Sequence, residues 1–305
     1  MNERGNKKTD IEVCPLCGSS QASLFLNLQD YSITGEDFAI YTCGNCSFKF
    51  TADAPSEENI APYYKAEEYI SHTETKKGLI SNLYHRVRKI TLQQKAKMVS
   101  KYTGKIVGHH LDIGAGTGAF VHAMENAGWN SIGIEPEASA RKRANELYLA
   151  SVYPMSELNN FSEKSYTAVT LWHVLEHVHQ LHDLLTKIKN ILDTDGRVFI
   201  AVPNHESFDA RYYGKYWAAY DVPRHLYHFT PVTMKKLLEQ HGLDIVQIKP
   251  MWFDSFYVSM LSEKYKKGNI IRGLLIAAIS NLQAIFMRNK CSSLIYIAAL
   301  KRKSI

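Results

Sequence analysis

The sequence lacks an apolar leader: its first ten residues, MNERGNKKTD, are polar, so no secretory signal is expected and the cytoplasm is the expected compartment. It also lacks a long hydrophobic run. The most apolar stretch, Ile270 to Met287, has 18 residues and is interrupted by Arg272, Ser280, Asn281 and Gln283. That falls short of the roughly 20 apolar residues a bilayer-spanning helix needs. Internal repeats and low-complexity tracts are missing. So is a dense basic stripe: much of the net charge of +6 comes from three local runs, Asn2 to Lys8, Arg86 to Lys101 and Lys301 to Lys303. Such runs read as solvated faces and make nucleic acid an unlikely partner. Cysteine is scarce, five in 305 residues. What is present is ordinary globular composition, 45% hydrophobic and 22% charged, in a chain long enough for one α/β domain and a smaller attachment.

Four of the five cysteines form two knuckles, Cys14-Pro-Leu-Cys17 and Cys43-Gly-Asn-Cys46, with 25 residues between them. Each knuckle can present two thiolates to one ion, and four thiolates complete a tetrahedral zinc site. In a reducing compartment such pairs point to metal rather than disulfides, with an iron–sulfur or redox role as the alternative. A unit of about 40 residues has too little core to fold without a staple. Four protein ligands leave no open position, so the expected zinc is structural. The sequence between the knuckles alternates like strands over Ala22–Leu28 and Phe38–Thr42. From Leu24 to Thr42 it holds Asp30, Glu36 and Asp37 but no Lys or Arg, a poor surface for phosphates. Cys291, between apolar segments, reads as a buried small hydrophobe.

These features divide the chain into a zinc-ribbon-like module (1–54), a polar linker with Tyr63, Tyr64 and Tyr69 (55–78), and a main domain (79–305). The main domain opens with an amphipathic helix, Leu79 to Tyr102. From His110 strands and helices alternate, the mark of an α/β fold with a parallel sheet covered on both faces. The expected strands are His110–Ile113, Ser131–Ile134, Ala168–Trp172, Val198–Val202, Leu243–Lys249 and Ser293–Leu300. The expected helices are Ala119–Ala127, Ala138–Leu147, Leu181–Leu192 and Pro231–His241.

Leu111-Asp-Ile-Gly-Ala-Gly-Thr-Gly118 joins the first of these strands to its helix. Glycines there let a ligand approach the backbone, and the helix start offers free N–H groups. The spacing Gly114-x-Gly116-x-x-Ala119, with Glu135 placed for ribose hydroxyls, also satisfies a relaxed dinucleotide fingerprint. Asp112 argues against that reading, because a carboxylate would repel a pyrophosphate and suits a cationic cofactor.

Asp112-x-Gly-x-Gly-x-Gly118, Glu135 and Trp172-His-Val-Leu-Glu-His-Val178 together resemble class I S-adenosylmethionine (SAM)-dependent methyltransferases, over roughly residues 80 to 250. The resemblance implies a seven-stranded Rossmann-like sheet of order 3-2-1-4-5-7-6 with strand 7 antiparallel. It implies that Gly114, Gly116 and Gly118 line the methionine part of SAM, that Asp112 holds the loop or the amine, and that Glu135 binds the ribose hydroxyls. The acidic residue many relatives carry after strand three is replaced here by Ser-Val-Tyr-Pro-Met. The double-knuckle front end is similar to that of bacterial sugar C-methyltransferases, and Leu175-Glu-His177 is shared with ubiquinone-pathway O-methyltransferases. The implied activity is methyl transfer to a small-molecule acceptor: a sugar, a quinone-like compound or another metabolite. An rRNA or tRNA methyltransferase guided by the zinc module, and a non-enzymatic SAM-fold binding protein, are the alternatives.

Seven of the thirteen histidines fall between His173 and His228. His173 and His177 lie four apart after strand four, facing the crevice at the carboxyl ends of the strands. His173 is therefore expected beside the cofactor and as a candidate base. Tyr220-Asp-Val-Pro-Arg-His-Leu-Tyr-His-Phe229 follows strand five, where the resemblance to sugar C-methyltransferases implies an active-site histidine at His225. The acidic residue preceding it in those enzymes is Arg224 here, which leaves an anionic acceptor open. His225 is the second candidate base. Tyr63, Arg224, Tyr227 and His228 are expected to contact substrate, with Trp217 and Phe229 shaping the pocket.

A hydrophobic helical insertion is expected at about 253–290. Within it, Ile270 to Met287 carries an apolar stripe (Ile271, Leu275, Ile279, Leu282, Phe286) and a row of small residues (Gly273, Ala277, Ser280, Ala284). It reads first as a helix buried in its own fold or in a homodimer. Peripheral contact with a membrane surface is the next reading, and a true span the last.

Overall fold

The computed structural model describes residues 13–64 and 79–302. The basic run at 2–8 and Tyr69 lie outside the described residues. Three short strands carry the N-terminal module: β1 (Ala22–Gln29), β2 (Asp37–Cys43) and β3 (Lys49–Ala52), each antiparallel to the next. The main domain begins with α1 (Leu79–Thr103) and then alternates: β4 (His109–Ile113), α2 (Ala119–Asn126), β5 (Asn130–Ile134), α3 (Ala138–Tyr148), β6 (Val152–Tyr153). It continues through β7 (Tyr166–Trp172), α4 (Leu181–Ile191), β8 (Leu192–Pro203) and α5 (Phe208–Tyr213). A two-residue strand, β9 (Tyr227–His228), precedes α6 (Pro231–Gln240), β10 (Leu243–Pro250), the helix pair α7 (Asp254–Tyr265) and α8 (Ile270–Phe286), and β11 (Ser293–Leu300).

The large sheet has the order β6-β5-β4-β7-β8-β11-β10. Its first five strands are mutually parallel, and β11 runs antiparallel to both β8 and β10. In order of succession this is 3-2-1-4-5-7-6, as the resemblance implied. Local signals set the helices. Glu137 caps α3 by accepting from Ser139 N, and Thr230 and Thr233 form a reciprocal cap on α6 with Pro231 at its first turn. The central strands are buried on both faces, so Leu111, Ile113, Val169, Leu171, Val198, Ile200 and Val202 fill one continuous core.

The module does not stand apart from this domain. β3 pairs antiparallel with β9, Lys49 opposite His228 and Phe50 opposite Tyr227, so the small sheet runs β1-β2-β3-β9. Thr51 N donates to Leu226 O at 2.9 Å, and Thr51 Oγ1 donates to the His225 carbonyl at 2.6 Å. Phe48 and Phe50 are fully buried in the core of the main domain, Phe48 packing at 5.6 Å on Phe229 and 5.9 Å on Tyr227. Each such side chain stabilises the seam by ~1.5–3 kcal/mol.

The insertion folds as the hairpin α7–α8. The small row faces inward: Gly273, Ala277, Ser280 and Ala284 are buried. A Cβ on Gly273 would stand 3.2 Å from the Met260 Cα and the Ser259 carbonyl, so glycine is what allows the two helices to close. The apolar stripe faces outward, with Leu275, Leu282 and Phe286 more than half exposed. That corrects the expectation of a stripe buried in its own fold: the small row makes the packing face, and the large residues are left outside. Among the described residues no helix is long and apolar enough to cross a membrane.

Candidate active site

At the carboxyl end of β4 the chain turns through Gly114, Gly116 and Gly118 into α2, all three with positive φ. Two of them serve different needs. A Cβ on Gly118 would lie 2.9 Å from the Ala144 Cβ of α3, so that position is closed by the protein itself. A Cβ on Gly116 would meet nothing within 4 Å. The outer face of the loop is open at that point, and a ligand can approach its backbone there. Glu135, just after β5, braces the loop: its carboxylate accepts from Gly116 N at 2.9 Å and Glu137 N at 3.0 Å. Burial raises its pKa, and these N–H donors oppose the rise.

Asp112 is buried one strand over, accepting from Thr170 Oγ1 of β7 at 2.6 Å. The Thr170 hydroxyl lies 2.9 Å from His110 Nε2, and His110 Nδ1 lies 2.8 Å from Ser131 Oγ. Burial holds His110 neutral, its pKa pushed down to about 3. Thr170 gives its proton to Asp112, so its oxygen accepts from Nε2–H and Nδ1 accepts from Ser131. A buried chain Ser131–His110–Thr170–Asp112 thus crosses three strands beneath the glycine loop. Burial raises Asp112 to about 7, against the Thr170 bond and the nearby Lys95 ammonium. A carboxyl so poised accepts a cationic group readily.

His173 follows β7 directly, with φ 58°. Its Nε2 is 2.7 Å from Asp254 Oδ2 at the start of α7, and its Nδ1 is 3.2 Å from Glu176 Oε1. Burial works against its charge, but the two carboxylates outweigh it and raise the pKa to about 10. Both ring N–H groups are then donated, and the imidazolium offers no lone pair. Val174 abuts Gly114. Two residues on, Glu176 is fully buried with its Oε2 unpartnered among the described residues.

His177 Nδ1 lies 3.1 Å from the Arg224 carbonyl and from Tyr64 Oη. Burial, and then the neighbouring His225, lower its pKa to about 4. The two rings meet edge to face at 4.6 Å. His225 Nδ1 donates to the Ala219 carbonyl at 2.9 Å, and its Nε2 lies 3.9 Å from Asp221 Oδ2. Glu176, His177 and His225 bring one ligand atom each to within 4.8 Å of one another, a set that could also hold a metal ion. The segment after β7 therefore touches the glycine loop on one side and the loop ahead of β9 on the other.

The four residues expected at the substrate have their polar atoms engaged elsewhere. Arg224 is 1% exposed. It grips Asp221 through Nε (3.0 Å) and Nη2 (2.7 Å), Asp30 Oδ1 through Nη2 (2.9 Å) and the Tyr63 carbonyl through Nη1 (2.9 Å). With these partners the side chain clamps the module to the main domain. Tyr63 Oη donates to Glu36, Tyr227 Oη to the His179 carbonyl, and His228 Nε2 lies 3.1 Å from Thr51 Oγ1. All three belong to the same seam. Sequence reasoning missed Asp254, Glu176 and the His110–Thr170 chain; Asp254 follows no motif, and only the fold brings it to His173.

At the far end of the module, Cys14 Sγ lies 3.6 Å from Cys46 Sγ, and Cys17 Sγ 3.6 Å from Cys43 Sγ, with all four within 4.8 Å of one another. Thiolates about 2.3 Å from a tetrahedral zinc stand about 3.8 Å apart, so the set fits that ion. Gly18 N and Ser47 N donate to the Cys14 and Cys43 carbonyls, closing the knuckle turns.

Residues 79–248 match the family described as methyltransferase domain. The chain belongs to that family. It is a SAM-dependent methyltransferase, and the glycine loop and Glu135 follow the carboxyl ends of β4 and β5, with Asp112 just inside the end of β4. The methyltransferase is 31% identical over 134 residues to a ubiquinone biosynthesis O-methyltransferase of Actinobacillus pleuropneumoniae, a match covering 40% of this chain and 55% of that protein. A second ubiquinone biosynthesis O-methyltransferase, from Glaesserella parasuis, is 30% identical over 105 residues, covering 31% and 44%. The chain thus spans about half the length of the curated relatives it matches. Among solved structures, a SAM-dependent methyltransferase from Archaeoglobus fulgidus is similar at 19% identity and TM-score 0.49, over 72% of this chain and 99% of that one.

Proposed function

We propose that this methyltransferase transfers the methyl group of SAM to a small-molecule acceptor, a sugar or a quinone-like hydroxyl compound, with His225 removing the acceptor proton. The observation that carries the reading is the placement of that imidazole: Nδ1 is hydrogen-bonded to the Ala219 carbonyl, Nε2 lies 3.9 Å from Asp221 Oδ2, and the ring sits in a buried cluster joined to the glycine loop through residues 173–177. His173, the other candidate base, is spent between Asp254 and Glu176. When bound, SAM supplies an electrophilic methyl group on a cationic sulfur. The open backbone at Gly116 and the carboxylates of Asp112 and Glu135 fit a cationic cofactor bearing ribose hydroxyls, and would hold it. The chain's contribution is then alignment of the acceptor and withdrawal of its proton. Cys14, Cys17, Cys43 and Cys46 would hold a structural zinc, which fixes the knuckles while β3 anchors the module to the loop carrying His225.

Supporting a small acceptor over an RNA is the chemistry of the module. Arg224, at its seam, is buried, and Lys49 lies with its Nζ 4.4 Å over the Phe25 ring, its pKa lowered by burial. The similarity to ubiquinone biosynthesis O-methyltransferases favours the same class. The test pairs calorimetry with turnover on a panel of catechol-type and hexose acceptors. His225→Asn is expected to leave SAM affinity nearly unchanged while turnover falls by about 10²–10⁴. Glu135→Ala is expected to weaken SAM binding by about 1.5–3 kcal/mol. Binding of NAD in preference to SAM would overturn the reading, and unchanged turnover in His225→Asn would remove the base.

A further inference from the structure

The α7–α8 hairpin leaves one side of the molecule apolar. On α8, Leu275, Ile279, Leu282 and Phe286 are between 45% and 81% exposed, along two helical turns and more of one face. The patch continues onto Trp252 and Phe253, 39% and 46% exposed, next to Asp254. Asn281 Nδ2 donates to the Trp252 carbonyl at 2.8 Å, which holds the far half of α8 against this aromatic pair. Large exposed apolar faces of this kind mark interaction surfaces.

Charge identifies what covers the face. Residues 264–290 contain six basic side chains, Lys264, Lys266, Lys267, Arg272, Arg288 and Lys290, and no Asp or Glu. They gather at the two ends of α8 rather than on its stripe, apart from Arg272, which is bound to Glu263 at 2.7 Å. Lys290 is bound to Glu206. Lys264, Lys266, Lys267 and Arg288 are exposed, Lys266 with its Nζ 5.5 Å over the Tyr212 ring, so cations stand at both ends of the apolar stripe. We propose that this face docks on an anionic lipid surface, with α8 lying in the plane of the interface. An interfacial helix needs an apolar face immersed at the acyl boundary and cations at headgroup level, and this hairpin supplies both. A second copy of the chain would bring the same cations against one another across a two-fold axis. The docking side is continuous with the site: Asp254, beside the exposed aromatics, is the partner of His173.

The experiment is co-sedimentation of the full chain with vesicles of pure phosphatidylcholine and of phosphatidylcholine with about 30 mol% phosphatidylglycerol. Pelleting is expected with the anionic vesicles and should fall at least about fivefold when salt rises from about 0.1 M to about 0.5 M. Leu275→Asp with Leu282→Asp, both at exposed positions, should abolish pelleting while SAM affinity is retained. Lys266→Glu with Lys267→Glu should reduce it on anionic vesicles. Pelleting that none of these changes affects would overturn the proposal, as would no binding to either vesicle. So would a dimer, seen by analytical ultracentrifugation, that the Leu275→Asp and Leu282→Asp change splits into monomers. Vesicle binding is read without turnover, so its failure is separate from failure of the methyl-transfer reading.

Discussion

His173 and Asp254 form an ion pair, Nε2 to Oδ2 at 2.7 Å, that ties the end of β7 to the start of α7 across 81 positions of sequence. It is one of several contacts that hold the hairpin to the domain; Ser280 Oγ donates to Asp209 and Ala218 N donates to Ser262 Oγ as well. The folded-state pKa of His173, about 10, lies above its ordinary value of 6.5. Stabilisation from the pair is therefore complete below about pH 6.5 and is lost as pH rises through about 10. Asp254→Asn should cost ~1 kcal/mol at pH 6, a figure discounted for the third of the His173 side chain that faces solvent. The difference from the parent protein should vanish above about pH 10. Urea unfolding at the two pH values measures it; an equal loss at both would mean the pair is not charged.

Asp112 gives a proton signal of its own. Burial holds its carboxyl at about 7, so near pH 7 about half the molecules carry the proton. A cation placed beside it favours the ionised form, so SAM binding should expel about half a proton at pH 7 and almost none at pH 9. Calorimetry in buffers of different ionisation enthalpy reads this number. Asp112→Asn should abolish it, and uptake rather than release would show that no positive group settles near Asp112.

Arg224 separates a clamp from a substrate ligand. Replacing it with Ala leaves buried Asp30 and partly buried Asp221 without their shared guanidinium, and should destabilise the fold by ~3 kcal/mol. The KM for the acceptor of whatever fraction stays folded should change little. A large rise in KM with unaltered stability would return Arg224 to the substrate.

Zinc content should be one per chain in protein purified without added metal. Cys14→Ser or Cys43→Ser should lose it, and because β3 pairs with β9, turnover should fall with it. Iron with a visible charge-transfer band would replace the structural-zinc assignment with a redox one.

Six of the seven strands of the large sheet were legible because their period differs from that of the helices between them, and β11 matched its expected span, Ser293–Leu300, residue for residue; the two-residue β6 carried no such signal. The knuckles were legible because cysteine spacing is itself geometry. β3 and β9 were not, since four and two residues carry no period, and their pairing is set by Phe48 and Phe50 finding the core of a distant segment. The role of Arg224 was hidden for the same reason. Its chemistry suits an anion, and the anions it meets are Asp221 and, 194 positions away, Asp30. The orientation of α8 turned on a competition between two plausible inner faces. Close approach of backbones at Gly273 decided it in favour of the small one.

The pairing of β3 with β9 also bears on how the chain is made. During synthesis the cysteine module leaves the ribosome well before the strand that completes its sheet, at residues 227–228, which emerges about 175 residues later, many seconds at ordinary elongation rates. Until then Phe48 and Phe50 have no core to enter, and the edge of β3 is open to any other strand. The sheet of the cysteine module is therefore completed only by a strand made far later in the chain. A metal ion held by the knuckles would keep the module compact during the wait.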